Sequence, residues 1–73
     1  MEKRDFELRG EHVALCDLLK LAGVAGSGGQ GKQMVADGLV RVDGKPESRK
    51  TAKIRAGQTI RCGDIEVRVT AHG

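Results

Sequence analysis

The C-terminal half of the chain alternates apolar and polar residues between turn signals, and this alternation is the strongest constraint on its fold. Val40 and Val42 flank Arg41, which is typical of a strand with one buried face. The dipeptide Asp43-Gly44 then supplies the positive φ angles of a two-residue hairpin turn. Pro46 lacks a backbone N–H, so we expect the returning strand to begin irregularly or to lie at a sheet edge.

Two further alternating runs follow, after a turn at 56–58 and another at 63–64. In the first run, Ile60 and Cys62 share one face of a strand. The last run is the most regular, with the apolar residues Ile65, Val67 and Val69 facing inward and the polar residues Glu66, Arg68 and Thr70 facing outward. The chain from Val40 onward is therefore predicted to form a small, largely antiparallel sheet.

The N-terminal half has helical spacing instead. Between Glu11 and Ala22 the apolar residues recur at i, i+3, i+4 and i+7, and Gly23 ends this first helix as its C′ residue. A second helix is predicted to begin at Ser27, which forms a capping box with Gln30, and to end at Gly38.

A short strand at Phe6–Arg9 is predicted ahead of the helices, because apolar and charged residues alternate there. Gly31 falls on the face of the second helix that would pack against the first, where a missing Cβ permits close approach. The predicted architecture is α+β, with two packed helices followed by a small, mostly antiparallel sheet. A chain of 73 residues can bury one core, so we expect a single domain over 1–73.

The two cysteines, Cys16 and Cys62, are far apart in a chain with no secretory signal, so we expect reduced thiols and a cytoplasmic protein. We also expect a monomer. No segment has the run of about 18 apolar residues that a membrane span needs. His12 lies four residues before Cys16, and Cys62 or His72 could complete a metal site, but such spacing is generic. We expect no metal and no other cofactor.

The segment Gly26–Lys32 matches the first seven positions of the phosphate-binding loop of nucleotide hydrolases. The eighth position is Gln33, although that loop needs a hydroxyl there to hold Mg²⁺. A helix rather than a buried strand is predicted ahead of it. No group of residues resembles a catalytic constellation, so the sequence predicts that the protein is not an enzyme and takes no small-molecule substrate.

The net charge of +3 is distributed unevenly. Residues 1–37 carry five basic and six acidic residues, whereas residues 38–73 carry eight basic and four acidic residues. Six of those eight basic residues lie between Arg41 and Arg55. A local basic region of this kind attracts polyanions, most often nucleic acid. Because Phe6 is the single aromatic residue, the protein is not expected to stack bases, and folded RNA read by its shape is the favoured ligand.

Several segments in succession carry a family resemblance. They are Leu18-Leu19, Ser27–Lys32, Asp37–Gly44, Glu47–Lys50 and Ala56–Ile60. Together they resemble the RNA-binding domain of the ribosomal protein S-four type, the αL motif, and more closely its short stand-alone bacterial members of the YbcJ type. The most specific part is the helix followed by Gly38–Gly44, which fits Gly-x-Val-x-Val-Asp/Asn-Gly. The resemblance implies two helices packed on a small sheet, and an RNA surface formed by the start of the second helix, the hairpin and the following loop.

Carried over by position, the implied RNA-binding residues are Ser27, Gln30, Lys32, Gln33, Arg41, Lys45, Arg49 and Lys50. We expect Arg49 and Lys50 to make the leading phosphate contacts, with Lys53 and Arg55 as supporting charge. This chain departs from the family at Gly28, where many members have arginine, and at Gly31, where members usually have alanine.

The expected function is non-catalytic binding of structured RNA, ribosomal or transfer RNA, as an accessory to translation or ribosome assembly. The alternative from another class is a small adaptor that docks an acidic protein partner through the same basic face.

Overall fold

A computed structural model describes residues Met1–His72, which form two helices and seven strands. The helices are α1 (Leu15–Leu21) and α2 (Gly28–Ala36). The strands are β1 (Glu2–Leu8), β2 (Val13–Ala14), β3 (Val40–Val42), β4 (Lys45–Pro46), β5 (Lys53–Ile54), β6 (Thr59–Cys62) and β7 (Ile65–Ala71). The main sheet has the order β1-β7-β6-β3-β4, and β2 with β5 forms a separate two-stranded sheet. The predicted α+β class with a mostly antiparallel sheet is confirmed.

The two helices and one face of the main sheet share a single hydrophobic core. Its fully buried larger side chains come from the helices, the main sheet and β5: Leu15, Leu18, Leu19, Val35, Val40, Ile54, Ile60 and Val67. On β7, Val67 and Val69 are buried while Arg68 is exposed, as the alternation predicted. The opposite face of the sheet therefore faces solvent. None of the described helices is long and apolar enough to cross a bilayer.

Strand β1 differs from the sequence prediction in its bounds. It covers Glu2–Leu8 rather than Phe6–Arg9, because it pairs in parallel with β7 over seven residues, from Glu2 opposite Ile65 to Leu8 opposite Ala71. This partner lies at the other end of the chain. The pairing lengthens the strand beyond the short alternating run that is visible locally.

Helix α1 begins at Leu15, four residues later than predicted. The residues before it, Val13 and Ala14, are extended and pair with Ile54 and Lys53 in the two-stranded sheet. A β-branched valine with a strand partner favours this arrangement over a longer helix. The remote partner was not visible in the local helical spacing.

The turns follow their local chemistry. Asp43 and Gly44 have φ angles of 52° and 83°, so they form the tight turn between β3 and β4. Pro46 lies in β4, which is the edge strand of the main sheet, as predicted. Both hairpin predictions, this one and the turn at 63–64 between β6 and β7, are confirmed.

Candidate nucleic-acid interface

The segment Ser48–Lys53, which we call the basic loop, follows β4, ends on the first residue of β5 and lies against the start of α1. The backbone N–H of Leu15 donates to the carbonyl of Ala52 at 2.9 Å, and that of Cys16 donates to the carbonyl of Lys50 at 3.1 Å. These are first-turn amides of α1, which lack partners inside the helix. Ala52 is buried. The loop is therefore fixed by the helix that it caps, and it lines a shallow depression of about 760 Å³.

Two cations of this region, Lys50 and Lys53, have exposed side chains. Among the described residues, no carboxylate oxygen lies within 4 Å of either ammonium group. Lys53 pairs through its backbone with Ala14, which fixes its position on β5. Arg55 follows β5, and its backbone N–H donates to the Gln58 side chain at 2.7 Å while its own side chain is exposed. Lys50, Lys53 and Arg55 thus present their charge to solvent.

Arg49 has an acidic partner, unlike these cations. Its Nε and Nη2 donate to the two carboxylate oxygens of Glu47 at 3.2 and 3.3 Å, and its backbone N–H donates to the same carboxylate at 3.0 Å. The side-chain hydrogen bond from Arg49 holds the pKa of Glu47 below its ordinary value, and the same bond raises the pKa of Arg49. The prediction of Arg49 as a leading phosphate contact did not anticipate this partner.

The predicted residues of α2 also have partners within the chain. Ser27 is the N-cap, and its hydroxyl accepts from the backbone N–H of Gln30 at 3.1 Å, as predicted. The Gln30 side chain accepts from the backbone N–H of Gly26 at 2.6 Å, one residue before the expected partner. Gln33 donates to the side chain of Asp37 at 2.8 Å. Lys32 is exposed and forms no ion pair with any described residue, so it is the α2 cation available to a ligand.

Gly31 sets the distance between the two helices. A Cβ built at this position would lie 2.8 Å from the carbonyl oxygen of Cys16, far closer than ordinary packing allows. The prediction that Gly31 permits close helix approach is confirmed. The segment Gly26–Lys32 is thus the capped start of a helix that follows another helix, α1, rather than a loop that follows a strand.

The hairpin divides its two predicted cations between the faces of the sheet. Lys45 lies opposite the half-buried Val42, so it projects from the helix-facing side at the sheet edge. Arg41 projects from the solvent face, where it lies directly opposite Arg61. The register therefore separates Arg41 from Lys45 and from the helices. The sequence analysis did not select Arg61, although the alternation on β6 placed it on the outward face.

The cysteines and histidines do not come together. Cys16 is buried and Cys62 partly buried, both as free thiols, and partial burial raises the pKa of the Cys62 thiol. His12 is exposed ahead of β2, and His72 lies 2.6 Å from a carboxylate oxygen of Glu7. Within Met1–His72, no three histidine, cysteine or acidic side chains are grouped as metal ligands.

Comparison with known proteins identifies the family. The family model described as the S4 domain matches residues 6–70. YbcJ of Escherichia coli K12, named as a candidate RNA-binding protein, is 53% identical over 60 residues, which cover 82% of this chain and 86% of the relative. YbcJ of Shigella flexneri, named as an uncharacterised protein, has the same identity and coverage.

The fold agrees with a solved relative. The solution structure of Escherichia coli YbcJ, described as revealing an αL motif involved in RNA binding, matches with a TM-score of 0.70 at 46% identity. The match covers 97% of this chain and 89% of that one. The resemblance read from the sequence is thereby confirmed, and the chain belongs to the S4 domain family.

Proposed function

We propose that the protein is a non-catalytic RNA-binding module that contacts structured RNA through the basic loop and the exposed face of α2. The observation that carries the proposal is the anchoring of the basic loop on the first turn of α1. The two backbone hydrogen bonds that hold it leave Lys50 and Lys53 free in solvent. A fixed loop backbone lowers the ordering cost of binding, and exposed lysines can contact phosphates.

The proposed surface consists of the basic loop with the neighbouring cations and polar residues of α2. Its members are Ser27, Gln30, Lys32, Gln33, Lys45, Arg49, Lys50, Lys53 and Arg55. Lys50 is its leading phosphate contact, together with Arg49 once that side chain turns from Glu47, and Lys53 and Arg55 supply further charge. The main role of the polar residues Ser27, Gln30 and Gln33 is to stabilise α2 through their hydrogen bonds, and their contact with RNA is secondary.

The proposed ligand is structured RNA, such as ribosomal or transfer RNA, which the protein would meet in the cytoplasm as an accessory to translation or ribosome assembly. Two features favour RNA that is recognised by its shape. The single aromatic residue, Phe6, is half-buried and provides no platform for base stacking. Lysine and arginine contacts to phosphates and 2′-hydroxyls require no such platform. The name of the YbcJ relative also associates this family with RNA.

The test is the salt dependence of binding to a fluorescent RNA hairpin, measured by anisotropy. For the wild type, the dissociation constant should rise steeply between about 50 and 200 mM salt, since each phosphate contact releases counterions. Lys50→Gln and Lys32→Gln should each weaken binding several-fold and reduce the salt slope by about one unit. Lys20→Gln, with the same charge change at an exposed position of α1, should leave both quantities almost unchanged.

A wild-type protein that binds no RNA hairpin, but binds an acidic peptide such as polyglutamate through the same lysines, would contradict the proposal. That result would favour the adaptor function.

A further inference from the structure

The solvent face of the main sheet carries a pair of like charges that the fold does not require. Arg41 on β3 lies directly opposite Arg61 on β6, and both side chains are exposed. Like charges in opposite positions of neighbouring strands destabilise a sheet. A sheet that keeps such a destabilising pair without an ion-pair partner points to a functional role for the pair.

One acidic residue, Glu66, lies beside this pair but forms no ion pair with it. On the other side of Arg41 the strand β4 places the uncharged Pro46, and on the other side of Arg61 the strand β7 places Glu66. Even so, no carboxylate oxygen of residues 1–72 lies within 4 Å of either guanidinium. The two arginines line a depression of about 380 Å³ together with Leu39, which is 54% exposed, and Gly63.

The chemistry of this depression fits a nucleic-acid backbone. Two neighbouring guanidinium groups offer planar, paired donors that match phosphate oxygens. The open position at Gly63 leaves room beside them, since a Cβ there would meet nothing within 4 Å. The exposed side chain of Leu39 beside the arginines can pack against the sugar of a nucleotide.

This depression does not belong to the surface around the basic loop. The basic loop is bonded to α1, and the helices cover the inner face of the sheet, whereas Arg41 and Arg61 project from the outer face. The main sheet therefore lies between Arg41 and Arg61 on one side and the helices that hold the basic loop on the other. We expect one straight RNA duplex to contact only one of these two faces at a time.

We propose that Arg41 and Arg61 form a second phosphate-binding surface on the outer face of the sheet, and that one copy of the protein thereby holds two RNA segments at once. This inference rests on the RNA-binding function proposed above. It adds a bridging activity to that function and assigns Arg61 a role.

The test is a bridging assay with two copies of one RNA hairpin, the first immobilised and the second fluorescent. The wild type should retain fluorescent RNA, and native mass spectrometry should detect one protein with two hairpins. The double variant Arg41→Gln/Arg61→Gln should keep the first binding event within about two-fold but retain at least about five-fold less fluorescent RNA, because two phosphate contacts are lost. Arg9→Gln/Lys20→Gln carries the same charge change away from both surfaces and should bridge like the wild type.

Folding is checked in the same series. Removal of the like-charge pair should leave the melting temperature of Arg41→Gln/Arg61→Gln unchanged or higher. The charge-conserving variant Arg41→Lys/Arg61→Lys should recover most of the bridging. These two results separate a lost contact from a damaged sheet.

Four outcomes would overturn the inference. In the first the wild type forms only 1:1 complexes, and in the second the double variant bridges as well as the wild type. The third is that the double variant loses the first binding event as strongly as Lys50→Gln does, and the fourth is that the outer face binds polyglutamate in preference to RNA. A wild type that binds no RNA at all would instead remove the proposed function on which the inference rests.

Discussion

Glu47 limits how much of the charge of Arg49 a ligand can use. The carboxylate accepts hydrogen bonds from Nε, Nη2 and the backbone N–H of Arg49, so it holds the guanidinium against the loop. Glu47→Gln removes this opposing charge and releases Arg49. We therefore predict a two- to five-fold tighter complex with an RNA hairpin and a salt slope that is steeper by about one unit. Arg49→Gln should weaken binding, and unchanged affinity in both variants would show that this pair lies outside the RNA surface.

The same pair predicts a pH dependence. Because Arg49 lowers the pKa of Glu47 in the folded protein, the contribution of the pair to stability is present above the unfolded-state pKa. It is lost as the pH falls through the folded-state value. A carboxyl ¹³C titration should place the Glu47 midpoint below the ordinary value, and Arg49→Gln should move that midpoint upward. A midpoint that does not respond to Arg49→Gln would contradict the pairing.

Two glycines of α2 give a matched test of helix packing. Gly31→Ala places a Cβ 2.8 Å from the backbone oxygen of Cys16, whereas Gly29→Ala meets only the Ser27 hydroxyl at 3.8 Å. Gly31→Ala should destabilise the protein by about 1–3 kcal/mol through overpacking. Gly29→Ala should stabilise it by up to about 1 kcal/mol through helix propensity. Urea denaturation measures both, and equal effects would show that the helices can separate without cost.

Gly28 is the position where the S4 resemblance implies an arginine. A Cβ added there meets no atom within 4 Å, and the position is the first residue of α2 beside the Ser27 cap. Gly28→Arg should tighten the binding of an RNA hairpin and raise the salt slope by about one unit. Gly28→Gln adds a similar side chain without charge and should leave the slope unchanged. A slope that is the same in both variants would exclude Gly28 from the RNA surface.

At the scale of elements, α2 depends on its cap. Ser27→Ala removes the oxygen that accepts the Gln30 N–H and should cost about 1 kcal/mol of unfolding free energy. Ser48→Ala is the control, because Ser48 is exposed and its hydroxyl makes no hydrogen bond within the described chain. Thermal or urea unfolding should separate the two variants. Equal stabilities would show that this cap contributes nothing.

The elements that sequence reasoning placed correctly are those defined by local chemistry. The start of α2 follows from the serine cap, and the hairpin after β3 follows from Asp43-Gly44. The start of α1 and the length of β1 depend instead on β5 and β7, which are remote in sequence. Hydrophobic spacing within a short window contains no information on such partners.

For the whole molecule, charge counting found the region of the basic loop but not how its charges are arranged. Arg41 and Lys50 belong to one basic stretch of sequence, yet the register of β3 directs Arg41 to the outer face while the contact with α1 keeps Lys50 beside the helices. The pair of Arg41 and Arg61 arises from the β3–β6 register, which joins residues that are 20 positions apart. The sequence alone does not specify that register.

Amide chemical shifts recorded during addition of a structured RNA hairpin test directly whether the basic loop and α2 form the RNA surface. At the first equivalent of RNA, we predict that the largest shift changes fall in 27–33 and 45–55. The exposed end of α1 around Lys20 and Leu21 should not respond. Shift changes confined to residues outside 27–33 and 45–55, or no shift changes at all, would contradict this assignment of the RNA surface.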